Sequence, residues 1–139
     1  MAGQFQFELV SPEALLVSQQ VAMVTLPGGE GDYGVLSGHA PMITTVRPGV
    51  IQIFADNDNT VTERLFVAGG FAEVTQERCT LLAEEAVPVT KLDRVKAEAE
   101  RQACLARLVN VTTDTERAEL TAKLVIAEAK LNALAVISH

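Results

Sequence analysis

The sequence has no tryptophan, one tyrosine and five phenylalanines in 139 residues. A packed interior must therefore be built from Val, Leu, Ile and Ala, and a hydrophobic content of 48% supplies enough of them. Cys79 and Cys104 are the two cysteines, too few for a disulfide framework and wrongly spaced for zinc. Both are expected to be reduced, buried thiols. No apolar run approaches the ~18 residues that would cross a bilayer. The opening MAGQFQFELV lacks the basic-then-apolar pattern of a signal peptide, so the cytosolic side is the expected location and the Asn110-Val111-Thr112 sequon is void.

Basic charge is scarce in the first part of the chain. Residues 1–88 carry three basic side chains (Arg47, Arg64, Arg78) against eleven acidic ones, a formal −8. Residues 89–139 carry eight basic and seven acidic side chains, a formal +1. An acidic half is unsuited to a nucleic-acid backbone and suited to a basic protein partner.

Catalytic constellations are missing too. The internal histidine, His39, has neither a nucleophile nor an orienting acid at a useful spacing, and adjacency to Ser37 makes no triad. Its expected role is to bond turn backbone. His39 and the terminal His139 make no metal pair. Gly29-Glu30-Gly31-Asp32-Tyr33-Gly34 formally fits G-x-G-x-x-G. Yet residues 35–41 cannot open a helix, and two acids would repel a pyrophosphate. No G-K-[ST] follows for a P-loop. An interaction protein without cofactor is the expectation.

What the sequence does have is regular short punctuation. Residues 4–10 alternate, with Phe5, Phe7 and Leu9 on one face and Gln4, Gln6 and Glu8 on the other, the mark of a half-buried strand. Further strands are expected at 15–17, 21–26, 34–36, 42–46, 50–55, 61–68, 71–75 and 79–87. Pro27-Gly28-Gly29, Gly38 to Pro41 and Pro48-Gly49 read as breaks between them. Asp56-Asn57-Asp58-Asn59 reads as a polar hairpin loop. Gly69-Gly70 inside a strand-like run suggests a bulge or a close backbone approach. Many short strands at even spacing predict a β-sandwich or barrel.

At Pro88 the period changes to that of helices. Thr90 to Asp93 has the shape of a capping box, with Thr90 as N-cap, and the helix should run to about Leu108. Its expected inward face is Leu92, Val95, Ala99, Ala103 and Ala106. Thr113-Asp114-Thr115-Glu116 offers a second cap, and Leu120, Leu124, Ala127, Leu131 and Leu134 form the stripe of a second helix. Two stripes and a short link predict an antiparallel helical hairpin.

The stretch 26–51, LPGGEGDYGVLSGHAPMITTVRPGVI, carries a family resemblance. A Pro-Gly turn, an acidic glycine loop, Gly-Val-Leu, Gly-His-Ala-Pro and a Pro-Gly-Val-Ile return resemble the epsilon subunit of F-type ATP synthases, and the likeness runs from the first strand to the last helix. It implies an α+β chain, a β-sandwich of about ten strands over 1–88 followed by a C-terminal helical hairpin over 89–139. It implies a non-catalytic rotor subunit that couples proton translocation to ATP synthesis, peripheral on the cytoplasmic face of a bacterial inner membrane. Its partners would be the gamma subunit near His39 and the ring of c subunits near Glu30, Gly31 and Asp32. The catalytic alpha and beta subunits would meet the hairpin, which can fold or extend and inhibit hydrolysis. Some members bind ATP through [IL]-D-x-x-R-A. Here Leu92-Asp93-Arg94-Val95-Lys96-Ala97 keeps Asp93 but has Lys96 in place of the Arg, which removes a planar fork for phosphate. Nucleotide binding at Asp93 and Lys96 is therefore expected to be weak or absent. The alternative is a nucleotide-sensing binding module. An acidic loop together with an unpartnered apolar face on the sandwich favours the rotor subunit.

Overall fold

The structure, a computed structural model, describes residues 3–29 and 31–137. The chain forms two compact units, Met1–Pro88 and Val89–His139.

The first unit is one ten-stranded curled sheet. In chain order its strands are β1 (Phe5–Val10), β2 (Leu15–Val21), β3 (Met23–Gly28), β4 (Gly31–Leu36), β5 (Met42–Val46), β6 (Gly49–Phe54), β7 (Glu63–Val67), β8 (Gly70–Val74), β9 (Arg78–Ala83) and β10 (Ala86–Pro88). The hydrogen-bonded order is β10-β7-β6-β3-β5-β8-β9-β1-β2, with β4 added alongside β3. Among the described strands the β1–β9 pairing is parallel and the others are antiparallel.

The sheet turns its corner at β3. One edge of β3 pairs with β4 along its length, from Met23↔Leu36 to Gly28↔Gly31. The other edge pairs with β6 at Met23, Val24 and Thr25, then with β5 at Gly28↔Val46. The two halves of the sheet thus share one strand and close over one core. Phe7, Leu9 and Leu81 from one half meet Val24, Leu26, Ile51 and Ile53 from the other, all fully buried. The alternation of residues 4–10 appears as expected, since Phe5, Phe7 and Leu9 are buried and their neighbours half-buried.

Two features correct the sequence reading. Pro27 and Gly28 belong to β3 and do not form the turn; the chain reverses between Gly28 and Gly31, which face each other. Pro27 is tolerated because its carbonyl accepts from the Arg47 amide (2.8 Å), so its missing N–H lies on the edge that β6 has already left. The second correction concerns the first helix, below. Elsewhere the breaks at 38–41, 48 and 56–59 appear as expected, whereas β2 runs on through 18–20 to Val21 and the 79–87 run divides into β9 and β10. Asn59 takes a left-handed φ of 61° in the polar loop. Gly70 sits where a Cβ would lie 1.9 Å from the Leu82 carbonyl oxygen, a close backbone approach that only glycine permits.

The second unit begins with a 3-10 turn (Val89–Lys91), then α1 (Arg94–Leu108) and α2 (Asp114–Ile137), packed along each other as a helical hairpin. The N-cap of α1 is Asp93, not Thr90: an Asp93 carboxylate oxygen accepts from the Lys96 amide (3.1 Å). Thr113 caps α2, its Oγ1 accepting from the Glu116 amide (3.1 Å). Arg107 and Glu116 pair across the link (3.8 Å). The α2 stripe appears as read, with Leu120 and Ala127 buried and Leu124, Leu131 and Leu134 half-buried. On α1 the inward face is Ala97, Arg101, Cys104 and Leu108, whereas Val95 is 79% exposed and Ala99, Ala103 and Ala106 are exposed. Small residues on both sides of α1 give two stripes of helical spacing. Cys104 and Leu108 bury more apolar surface than alanines do, which favours their side.

Glu98 on α1 takes two hydrogen bonds from Arg101 (2.8 and 3.2 Å) and one from Gln102 (3.0 Å). Arg101 first, then Gln102, lower its pKa to about 2. A carboxylate more acidic when folded stabilises the helix fully above its ordinary pKa near 4.5, and that contribution is lost as pH falls toward 2.

Gly70→Ala should cost about 2–3 kcal/mol, a fall in Tm on the order of 10 °C, whereas Gly3→Ala, which would touch only Ser37 Oγ at 3.9 Å, should leave Tm within a few degrees. In denaturant titrations, the stability advantage of the native chain over Glu98→Gln should be constant above pH 5 and shrink between pH 4.5 and 2. An advantage that grew on acidification would have the wrong sign for this pair.

Candidate interaction surfaces

The β3–β4 tip comes first, since register fixes it. Gly31 and Asp32 open β4, with Asp32 opposite Pro27. The Asp32 carboxylate, with a side chain 68% exposed, is paired with Arg47 Nη2. Arg47 also donates from Nε to the Gly28 carbonyl (2.9 Å). Glu30, expected beside these two, lies outside the described residues. Behind the tip, the Tyr33 ring covers Gly28, where a Cβ would lie 2.7 Å from the ring. Its hydroxyl is buried, close to the Thr44 hydroxyl but with no partner in good hydrogen-bond geometry among the described residues. Burial raises its pKa, and the nearby Thr44 hydroxyl opposes only part of that rise.

His39 lies in the loop between β4 and β5. Its Nδ1 is 2.8 Å from the Ala40 carbonyl oxygen and donates to it, and its amide donates to the Leu36 carbonyl (3.2 Å). The Gly38 amide donates to the Gln76 carbonyl (2.9 Å), tying this loop to the β8–β9 turn. The imidazole thus bonds loop backbone.

The outer face of β5, β8, β9, β1 and β2 holds the surface that sequence reasoning anticipated without naming residues. Register aligns Thr45, Phe71, Leu82, Val10 and Leu15 in one row across five strands. Phe71 is 57% exposed, Leu82 52% and Leu15 57%. A cleft of about 470 Å³ opens along this row between Val10, Pro12, Phe71 and Leu82. The next row, Ile43, Glu73, Thr80, Glu8 and Ser18, is mostly polar, with an Arg78–Glu8 bridge (3.0 Å) beside it. The signal in the sequence was the run Leu81-Leu82-Ala83, apolar on both parities where a half-buried strand should alternate.

Asp93 and Lys96 are both exposed, and Asp93 is engaged as the α1 cap. Burial pushes the Cys79 thiol up to about 12, which leaves it protonated and unreactive. Among the described residues no three His, Cys, Asp or Glu side chains converge as metal ligands, and no helix is long and apolar enough to cross a membrane.

Residues 4–89 match the model of the ATP synthase delta/epsilon chain beta-sandwich domain. The chain is 53% identical over 138 residues to the ATP synthase epsilon chain of Rhodospirillum centenum, an alignment covering 97% of this chain and 94% of that one. It is 52% identical over 135 residues to the epsilon chain of Paramagnetospirillum magneticum, covering 97% and 100%. Among solved structures it shares its fold with a chain of the Euglena gracilis mitochondrial ATP synthase OSCP/F1/c-ring assembly (TM-score 0.81, 24% identity, 96% of this chain and 83% of that one). A chain of the Tetrahymena thermophila mitochondrial ATP synthase central stalk and c ring has the same fold (TM-score 0.66, 14% identity, 93% and 95%). With half its residues shared along nearly its whole length and the same curled sheet and helix pair, the chain belongs to the epsilon-chain family of the ATP synthases.

Proposed function

We propose that this chain is a non-catalytic subunit of the rotor of a bacterial ATP synthase, where it couples proton translocation to ATP synthesis. One observation carries the proposal: the row of exposed Phe71, Leu82 and Leu15 with half-buried Val10 among them, and its cleft. Four apolar side chains on one sheet face are costly to leave in water: full burial is worth about 1.5–3 kcal/mol each, and roughly half of that remains to be gained at Phe71, Leu82 and Leu15. The proposed cover is the gamma subunit, with His39 at the edge of the contact. The β3–β4 tip, Glu30, Gly31 and Asp32, is the proposed contact with the polar loops of the c ring. The association of the fold with central-stalk and c-ring assemblies supports both assignments.

The helical unit is proposed to meet the catalytic alpha and beta subunits and to restrain ATP hydrolysis. Its exposed Val95 and Val109 (79% and 82%) offer apolar contacts for that purpose. The subunit is proposed to be peripheral, on the cytoplasmic face of the inner membrane. Nucleotide sensing at Asp93 and Lys96 is not favoured: the aspartate is engaged as a helix cap, and Lys96 presents a point charge where a bidentate fork would be needed.

The test is reconstitution with the matching catalytic complex depleted of this chain. Phe71→Asp should weaken co-elution at least about tenfold in affinity, equivalent to about 1.4 kcal/mol, with Tm unchanged because the side chain is already exposed. Co-elution at native affinity would rule out this face. Asp32→Lys should co-elute normally yet lower ATP-driven proton pumping, because it breaks the pair with Arg47 and puts a second cation beside it. Undiminished pumping would remove the tip from the c-ring contact.

A further inference from the structure

We infer that Arg47 is the positioning residue of the β3–β4 tip, and that Asp32 serves the tip through this clasp rather than as a free negative charge. The inference rests on the reading of the tip as a c-ring contact.

Arg47 lies between β5 and β6, directly before Pro48, which holds its backbone extended. Three bonds leave it for the hairpin. Its amide donates to the Pro27 carbonyl (2.8 Å) and its Nε to the Gly28 carbonyl (2.9 Å), both on β3. Its Nη2 reaches Asp32 on β4. One planar guanidinium therefore grips both strands beside the reversal, at Gly28 on β3 and Asp32 on β4. A lysine, with a single ammonium, cannot hold two acceptors in this forked geometry. Gly49 lets the same link lie close against β3: a Cβ there would lie 3.1 Å from Pro27 Cβ and 3.3 Å from its Cγ.

An exposed pair of this kind adds only about 0–1 kcal/mol to stability, so fold stability alone is a weak reason for the arrangement. Its consequence is geometric. The tip is pinned to the β5–β6 link, and the negative charge of Asp32 is answered within the chain.

Two accounts of the tip then make opposite predictions. If Asp32 attracts a basic partner directly, removing Arg47 makes the tip more negative and leaves coupling unchanged or improved, while Asp32→Asn is damaging. If Arg47 positions the tip, Asp32→Asn is mild, because its amide oxygen still accepts from Nη2, and Arg47→Ala is damaging.

The experiment measures ATP-driven proton pumping per ATP hydrolysed in the reconstituted complex, with Tm and co-elution followed in parallel. Arg47→Ala should reduce the ratio at least about fivefold and Arg47→Lys by an intermediate factor, both at unchanged Tm and co-elution. Asp32→Asn should lower the ratio by clearly less than Arg47→Ala does. Loss in Asp32→Asn with none in Arg47→Ala would overturn the inference and keep the tip as the contact. Parallel loss of Tm, co-elution and pumping in both Arg47 variants would reduce Arg47 to fold stability and overturn it as well. Native pumping in every variant, Asp32→Lys included, would overturn the tip reading together with the inference.

Discussion

The β unit depends on the backbone hydrogen bonding of one strand, Met23–Gly28. Its first half is paired on both edges, with β4 and β6. Its last residue exchanges β6 for β5, so the sheet passes from one layer to the other without a break. Each buried N–H and C=O on a corner strand needs a partner, because an unpaired one costs about 1–3 kcal/mol. At Pro27 and Gly28 the carbonyls are answered by Arg47, from its amide and its Nε. The corner and the tip are thus held by the same residue.

From that corner the two proposed contact surfaces follow. β4 extends beside β3 and carries Gly31 and Asp32 at its start. β5 leaves the corner to pair with β8, which begins with Gly70, pressed against the Leu82 carbonyl. That approach brings Phe71 and Leu82 side by side on the outer face, where they continue into Val10 and Leu15. Inner positions of the same strands, Ala72, Leu81 and Ala83, fill the core. At the Phe71–Leu82 row the strands are apolar on both faces, one covered by the chain itself and one by the proposed partner.

Much of this was legible in residues that act locally. Phe5, Phe7 and Leu9 alternate because one face of β1 is buried; Asn59 and Gly70 mark backbone that most residues cannot adopt. Thr113 caps α2 because its hydroxyl reaches an amide three residues on. What was not legible depends on distant partners. Pro27-Gly28 has the composition of a turn, but pairing with Gly31 and Asp32 draws it into a strand. The inward face of α1 is decided by Cys104 and Leu108, which helical spacing alone could not rank against Val95 and the alanines. Arg47 counted as one of three scattered basic residues, and its role emerges only when the chain folds to bring it to Asp32, 15 positions earlier in the sequence.

Placing the two surfaces on different partners is the central claim, and site-specific photocrosslinking in the assembled complex tests it most directly. A photoreactive residue at position 82 should crosslink to the gamma subunit, and one at position 29, beside the tip, to a c subunit. The same partner at both positions, or a c-subunit product from position 82, would contradict the account.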